Sequence, residues 1–375
     1  MHTCQFRLLL VTWRYFPCVG GIATHVHEIA RRFADRGVDV TVLTTDPTGQ
    51  LAANEESEGV RIRRVRAWPA NDDTYYFTPG IFREIRNGGW NLVHCQGYQT
   101  LVPPVTMLAC LKAKIPYVLT LHPGGHSSRF INAIKLVQWE VNRPLLARAE
   151  RIIVTAEWEE EFFRKRLRLF HQRFVLIPNG GTLPKVDGPS SVNSDDGTLI
   201  VSIGRLERYK GHHRVIAALP KVLEECPDVH LRIVGSGPYE SALWRMAQDL
   251  GVAHRVAIEA IPVSDRQGMA SILSKAALVT LLSEYEGHPM SIMEALTLGR
   301  PVLVSDHPGL QEFADRGLAR SVSLKSTPAQ IAAAVVDQLR HPLVPAGFDL
   351  PTWDDCAANL LKLYCNVVGR SSCAS

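Results

Sequence analysis

Two glutamates, Glu286 and Glu294, stand eight positions apart around a segment with the composition of a helix start. The residues between them that bear on chemistry are Gly287, His288, Pro289, Met290 and Ser291. Pro289 suits the first turn of a helix, where its missing N–H costs no hydrogen bond. The N–H groups of Met290 and Ser291 would then point out of the helix start. Together with the helix dipole they would form an anion site suited to a diphosphate.

The two carboxylates could serve different parts of one elongated ligand. A carboxylate can accept two hydrogen bonds side by side, so it suits the vicinal hydroxyls of a sugar or a ribose. The residues alone leave an alternative open, in which the segment is an ordinary helix start with incidental acids.

Basic and glycine-rich loops elsewhere in the second half of the chain would complete such a site. Arg205 and Lys210 lie within Gly204–Gly211, after an apolar strand-like run, and could neutralise a diphosphate leaving group. Gly235 opens a Gly-Ser-Gly-Pro run after another apolar stretch, and glycine lets a backbone approach a ligand closely. Taken singly, the first segment could be a solvated loop and the second an ordinary turn.

Glycines and a histidine take comparable positions in the first half of the chain. Gly20 and Gly21 open a helical stretch after the first strand-like run, where backbone N–H groups could face a phosphate. The spacing is not G-x-G-x-x-G, and no acidic residue stands where a dinucleotide ribose would need one, which disfavours a nicotinamide enzyme. His122 ends another strand-like run, where a lone histidine is either structural or functional.

The elements that must position these residues alternate between short apolar runs and longer amphipathic stretches. This alternation predicts βαβ units and parallel sheets, with ligands at the carboxyl ends of the strands. We therefore predict an α/β chain with two doubly wound domains facing a central cleft. The predicted ranges are 1–185 for the first domain, 186–197 for a polar linker, 198–345 for the second domain and 346–375 for a helical segment that could fold back on the first domain.

In combination, these segments resemble those of a known family. Ser283–Leu296 is similar to the E-x7-E motif of retaining glycosyltransferases, in particular glycosyltransferase family 4. Gly204–Gly211 is similar to the G-R-L…K-G motif of that family, and Gly299–Glu312 to its G-x-P-V…G-G…E run. The resemblance implies the GT-B fold, with a Rossmann-like first domain on the acceptor side and a Rossmann-like second domain that binds a nucleotide sugar.

The resemblance also implies a reaction: transfer of a hexose-type sugar from a nucleoside diphosphate sugar to an acceptor hydroxyl, with retention. Glu294 would hold the ribose, and Arg205 and Lys210 the diphosphate. Glu286 and His122 would hold the sugar, and His126 lies in a loop that could close over the acceptor. The other residues assigned to donor binding are Gly20, Gly21, Gly235, Gly287, His288, Pro289, Met290 and Ser291.

This sequence departs from the family at His288, where an aromatic or aliphatic residue usually borders the sugar pocket. It also has Thr182 where the P-N-G-x-D turn usually has Asp. The chain contains no D-x-D triplet and no cysteine spacing typical of zinc sites. We therefore expect no metal, and no cofactor besides the nucleoside diphosphate sugar as co-substrate.

Charge and hydropathy bear on location and partners. Arg and Lys outnumber Asp and Glu through residue 187, and the reverse holds after it. This imbalance is too weak to indicate nucleic acid. No apolar run is long enough for a membrane span or a signal peptide, so we expect a cytoplasmic protein. The basic stretch Arg164–Arg173 is either a helix that touches the anionic inner face of the membrane or an ordinary solvated helix. Arg61–Arg66 is predicted to be a solvated edge strand.

Two other functions stay open at this point. One is a catalytically inert nucleotide-binding subunit, and the other is a different GT-B chemistry, such as a sugar-nucleotide epimerase. The acceptor is also open between a lipid-linked sugar, a polysaccharide and a small-molecule glycoside.

Overall fold

The structure is a computed structural model that describes residues 6–18, 20–68, 78–98, 100–123, 129–184, 198–262 and 265–372. The chain forms two compact units. The first contains the N-terminal residues, residues 129–179 and the C-terminal residues from Pro351 onward, and the second contains Gly180–Leu350. Each unit has its own β-sheet and its own hydrophobic core.

The first unit contains an eight-stranded sheet in the order β3-β4-β2-β1-β5-β6-β7-β8. All neighbours pair in parallel except β3 with β4. Most of these strands are buried apolar runs, as expected for parallel strands covered on both faces. Their bounds are Arg7–Val11 (β1), Asp39–Asp46 (β2), Asn54–Ser57 (β3), Val60–Arg66 (β4), Leu92–Gln96 (β5), Tyr117–Thr120 (β6), Arg151–Val154 (β7) and Phe174–Leu176 (β8).

Helices connect these strands, and local signals set several of their ends. Pro residues occupy the first positions of α2 and α3, and left-handed residues, Lys114 and Arg168, follow the last residues of α3 and α5. The helices of this unit are Gly21–Asp35 (α1), Pro79–Asn87 (α2), Val102–Ala113 (α3), Arg129–Leu146 (α4), Glu157–Leu167 (α5) and Trp353–Ser372 (α12).

Both predictions for basic stretches need correction. Helix α5 ends at Leu167, so Arg164–Arg173 is not one continuous helix that could lie on a membrane. Arg61–Arg66 is not an edge strand, because β3 pairs along the outer side of β4. Its Arg64 is not solvated either: the side chain is 4% exposed, and its Nη1 donates to Glu55 Oε2 at 2.6 Å.

The second unit contains a six-stranded, fully parallel sheet in the order β11-β10-β9-β12-β13-β14. Its strands are Thr198–Ile203 (β9), Val229–Val234 (β10), Val256–Glu259 (β11), Leu278–Leu281 (β12), Val302–Ser305 (β13) and Arg320–Val322 (β14). Its helices are His212–Glu225 (α6), Glu240–Asp249 (α7), Arg266–Lys275 (α8), Met290–Thr297 (α9), Pro308–Asp315 (α10) and Pro328–Arg340 (α11). From β9 the chain adds β10 and β11 on one side of the sheet, and it then adds β12, β13 and β14 on the other side. The topological switch point therefore lies between β9 and β12.

The end of the chain divides between the two units. Phe348 and Leu350 pack against the core of the second unit, and α12 belongs to the first. In α12, Trp353 and Tyr364 are fully buried, and the Tyr364 ring packs edge-on against Phe33 of α1. The chain first leaves the first unit after Asn179, a few residues before the predicted boundary at 185, and the predicted linker 186–197 lies outside the described residues.

Truncation of Tyr364 tests whether α12 is an integral part of the first unit. Tyr364→Ala removes a fully buried ring, so we expect the free energy of unfolding of this unit to fall by roughly 3–5 kcal/mol. Lys362→Ala, on the exposed side of the same helix, should change it by less than about 0.5 kcal/mol. Calorimetric unfolding of both variants measures the difference. Equal stability of the two variants would contradict an integral role for the helix.

Candidate functional site

The predicted loops of the second unit meet at the switch point of its sheet. Gly211 has φ +81°, and a Cβ there would lie 2.0 Å from the carbonyl oxygen of Leu282. A Cβ on Gly235 would lie 1.9 Å from the carbonyl oxygen of Gly204. The loops after β9, β10 and β12 therefore approach each other more closely than any side chain would permit.

An ion pair joins two of these loops. Lys210 Nζ lies 2.6 Å from Glu286 Oε1, and both side chains are mostly buried. Ser283 Oγ donates to the same carboxylate oxygen at 2.7 Å. Burial alone would lower the pKa of Lys210, but the Glu286 carboxylate outweighs burial and holds that pKa above its usual value. Lys210 is therefore a permanent cation at the carboxyl end of the sheet.

Glu294 has a partner that the sequence did not predict. Its carboxylate is almost fully buried, and Arg266 Nη2 donates to Oε1 at 2.5 Å. Arg266 is the first residue of α8, and its neighbour Asp265 caps that helix by accepting from the N–H of Gly268. A carboxylate can accept more than one hydrogen bond, so the ion pair with Arg266 is compatible with a further donor from a ligand.

The helix after Glu286 begins one residue later than predicted. Pro289 is the N-cap residue, and α9 starts at Met290. Ile292 and Met293 donate their N–H groups to the carbonyl oxygen of Pro289, at 3.2 and 3.4 Å. The N–H groups of Met290 and Ser291 precede this first turn, and groups in this position have no acceptor within a helix. The positive end of the dipole therefore lies beside Gly287, which is buried.

Arg205 and His288 flank this arrangement differently. The Arg205 side chain is 37% exposed and lies 3.6 Å from Glu207 Oε1, so it is held only loosely. The His288 ring packs on Phe313 of α10, with 5.6 Å between ring centroids. Burial lowers the pKa of His288 to about 4, and the nearby Arg316 contributes in the same direction. His288 is therefore a neutral ring at ordinary pH.

Gly20, Gly21 and His122 belong to the first unit. Gly20 is the N-cap of α1, which starts at Gly21 after β1. Among the described residues, no atom would lie within 4 Å of a Cβ on Gly20. His122 follows β6, and its Nε2 lies 2.6 Å from Gln96 Oε1 at the end of β5.

A buried polar network surrounds His122. The amide nitrogen of Gln96 lies 3.2 Å from each ring nitrogen of His94, which in turn contacts Tyr364 Oη at 2.5 Å. Since Gln96 directs its amide nitrogen to His94, its oxygen accepts from His122, and the His122 proton resides on Nε2. The ring centroids of His25 and His122 are 4.9 Å apart. His25 Nδ1 lies 2.9 Å from Asn179 Oδ1.

Burial keeps the three histidines neutral. It lowers the pKa of His25 to about 4, and it lowers the pKa values of His94 and His122 well below 6.5. The neighbouring histidines push the pKa values of His94 and His122 further down, because adjacent cations would repel each other. His122 can therefore offer a ligand hydrogen bonds but not a positive charge.

Both halves of the chain match known families. Residues 20–180 match the family model described as a glycosyl transferase 4-like domain, and residues 187–343 match the one described as glycosyl transferases group 1. The chain belongs to the family 4-type glycosyltransferases. This confirms the prediction of an enzyme with two Rossmann-like α/β domains of the GT-B type.

Individual relatives of this glycosyltransferase align over nearly its whole length. It is 26% identical over 364 residues to a glycogen synthase from Mycobacterium tuberculosis, covering 90% of this chain and 86% of the relative. It is 25% identical over 375 residues to the GDP-mannose:cellobiosyl-diphosphopolyprenol alpha-mannosyltransferase of Xanthomonas oryzae pv. oryzae, covering 97% and 95%. The structure of Anabaena HepE in complex with UDP-glucose shares its fold with a TM-score of 0.68 at 16% identity, covering 99% of this chain and 100% of HepE.

Two absences characterise the described residues of this glycosyltransferase. No three His, Cys, Asp or Glu side chains there are placed to hold a metal ion. None of the helices there has both the length and the hydropathy that a bilayer span requires.

Sequence reasoning missed Arg266, Gln96 and His94 as members of the site. Arg266 lies outside every motif, on a helix whose start gave no signal of a ligand. His94 and Gln96 lie on β5, where alternate residues point to one face, but no pattern in the sequence indicated that they face His122. His126, which the sequence placed near the acceptor, lies outside the described residues.

The neutral histidines predict a loss of stability in acid. An unfolded histidine binds a proton near pH 6.5, whereas folded His25 resists protonation until about pH 4. The contribution of neutral His25 to the free energy of unfolding is therefore complete above pH 6.5. It is lost as the pH falls toward 4, by up to about 3 kcal/mol. We expect the melting temperature of the first unit to fall over this range.

Two substitutions make the acid prediction specific. His25→Gln should flatten the pH dependence because it removes one titrating group. Gln172→Ala, at an exposed position of the same unit, removes no titrating group and should leave the pH dependence unchanged. Identical pH profiles for wild type and His25→Gln would contradict the assignment.

Proposed function

We propose that this glycosyltransferase moves a hexose-type sugar from a nucleoside diphosphate sugar to an acceptor hydroxyl, with retention at the anomeric carbon. The observation that carries the proposal is the Lys210–Glu286 ion pair at the switch point, beside the start of α9. This pair brings a cation and a carboxylate together with a helix N-terminus at the carboxyl ends of neighbouring strands, which supports the proposal. Nucleotide ligands bind at such points in doubly wound sheets.

Charge stabilisation of the leaving diphosphate would come from three groups. Lys210 supplies a buried cation, and the N–H groups of Met290 and Ser291 add the positive end of a helix dipole. Arg205 is loosely held and can swing its guanidinium onto the second phosphate. These groups would stabilise the charge that develops as the bond between the anomeric carbon and the phosphate oxygen breaks.

The carboxylates would orient the two ends of the donor. Glu294, held by Arg266, would accept from the ribose hydroxyls, and Glu286, held by Lys210, would accept from the sugar. His122 would hydrogen-bond the sugar as a neutral ring. The tautomer that the Gln96 contact favours would make Nδ1 the accepting nitrogen of the His122 ring.

Retention is consistent with attack on the same face from which the phosphate departs. The new bond joins the acceptor oxygen to the anomeric carbon, and the acceptor proton passes to an oxygen of the departing phosphate. Glu286 Oε1 already accepts from Lys210 and Ser283, so we assign this side chain to positioning rather than to nucleophilic attack. The protein would then act mainly through positioning and electrostatics.

The names of the relatives support a nucleoside diphosphate sugar while leaving its base and sugar open. The Xanthomonas relative is named for GDP-mannose, and HepE is in complex with UDP-glucose. Neither name is that of an epimerase or of an inert subunit. A thermal-shift panel of sugar nucleotides, followed by turnover with acceptor pools and NMR of the product anomer, tests donor, transfer and retention in turn. Donor conversion without an acceptor would instead indicate an epimerase.

Removal of Lys210 or Glu294 tests the assigned roles. Lys210→Ala and Glu294→Ala should each lower transfer by at least ~100-fold, the scale of losing one donor to a developing oxyanion. Lys221→Ala, on the exposed face of α6 in the same unit, is the matched control and should keep wild-type turnover. Near-normal kcat/KM in both site variants would refute the assignment.

Gln96 should matter through His122 rather than through packing. Gln96→Leu removes the acceptor that fixes the His122 ring, so kcat should fall ~10- to 100-fold because the sugar is misplaced. Gln96→Glu keeps an acceptor and should raise the pKa of His122, which moves the acid limb of the kcat profile to higher pH. If both variants show the wild-type pH profile and the same rate, the contact has only a structural role.

A further inference from the structure

The first unit contains a basic cleft, and none of its lining residues belongs to the motifs assigned to donor binding. Its volume is about 790 Å³, within the range typical of small-molecule sites. It lies along the carboxyl half of β4, from the Asn54–Arg63 pair of β3 and β4 onward, and against the start of α2. Its charged and aromatic lining residues are Arg63, Arg64, Arg66, Trp68, Arg83 and Glu84.

The positive charge of this cleft is only partly neutralised. Arg63 Nη1 pairs with Glu84 at 2.8 Å, and Arg64 pairs with Glu55. Within the described ranges, no carboxylate lies within ion-pair distance of Arg66 or Arg83, and both side chains are exposed. Two guanidinium groups thus line the cleft without an anionic partner in this part of the structure.

One arginine forms a fixed floor. Arg64 is buried, and besides Glu55 it donates to the carbonyl oxygens of Ala52 and Phe16, at 3.1 and 2.9 Å. Phe16 belongs to the loop between β1 and the glycines that open α1. The floor of the cleft is therefore connected directly to the loop that carries Gly20.

An exposed aromatic ring completes the lining. Trp68 is 60% exposed, and the Arg66 guanidinium carbon lies 5.5 Å from its ring centroid. An indole ring is a large apolar surface with a polar N–H, so it suits a ligand that has both a ring and polar groups. Guanidinium forks beside it match the geometry of phosphate oxygens better than a point charge would.

We propose that this cleft binds the phosphate of a phosphorylated acceptor, with Arg66 and Arg83 as its ligands and Trp68 against the adjoining ring. The proposal rests on the proposed function, because it identifies the acceptor class of that reaction. In register, β4 runs three residues past the end of β1, so at the usual strand spacing and rise its carboxyl end lies about 14 Å from that of β1. A phosphate in the cleft would thus lie a few sugar units from the loop at Gly20.

The shared chemistry is a phosphate ester, whether it comes from a soluble sugar phosphate or from a lipid headgroup. Two binding arms distinguish these sources: calorimetry with glucose 6-phosphate, and sedimentation with phosphatidylcholine vesicles that contain or lack phosphatidylinositol. Both use the full chain carrying Lys210→Ala, so that the proposed diphosphate site does not contribute. Glucose without phosphate is the ligand control.

The decisive variant is Arg66→Gln with Arg83→Gln. Since each arginine supplies charge-assisted hydrogen bonds, we expect binding in at least one arm to weaken ~10-fold or more, and to weaken further with salt. Arg61→Gln, on the same strand but outside the lining, is the matched control and should bind as before. Both altered side chains are exposed, and an unchanged melting temperature verifies that the variant folds.

If the double variant binds glucose 6-phosphate more weakly, the result supports a soluble phosphorylated acceptor. If only its binding to the vesicles weakens, the result supports a lipid-linked acceptor. Unchanged binding in both arms, or no binding by the parent protein in either arm, overturns the cleft proposal. The donor thermal shift of the double variant in an otherwise native chain keeps the two proposals separate. If only the cleft proposal is wrong, sugar nucleotides still raise the melting temperature of the double variant. If the proposed function is wrong, they do not raise the melting temperature of the native chain either.

Discussion

The site of the second unit depends on one buried ion pair, between Lys210 and Glu286. The two residues come from loops that follow neighbouring strands, and Gly211 lets those loops come within contact distance. A buried pair of this kind is not a large source of stability, but removing either partner leaves a charge without compensation. It therefore fixes the relative positions of the β9 and β12 loops, and through them the start of α9.

The first unit orients its buried side chains through neutral groups. Its buried His94 and His122 are neutral, and amide and hydroxyl groups from β5, β6 and α12 orient them. A neutral ring can be desolvated at much lower cost than an ion, so it can approach a sugar without repelling or trapping it. The two groups of candidate residues thus differ in kind: the second unit offers a fixed cation, and the first offers neutral hydrogen-bonding groups.

The sequence predicted the parallel strands well because buried parallel strands are nearly continuous apolar runs. It missed β3, whose four residues are polar and exposed, and this omission made β4 look like an edge strand. The motif residues Lys210 and Glu286 were recognised from their types and spacing. Arg266 and Gln96 were not, because each matters only through a partner that tertiary folding brings to it, at Glu294 and at His122.

Because α12 belongs to the first unit, hybrids with a related enzyme depend on where the two chains are joined. In chain order, Gly180–Leu350 is an insertion within the first unit rather than a domain that follows it. A hybrid made by joining the front half of one enzyme to the back half of another would give the first unit a foreign α12 in place of the helix whose Tyr364 packs against Phe33. Hybrids that replace only the inserted segment would keep that interface native.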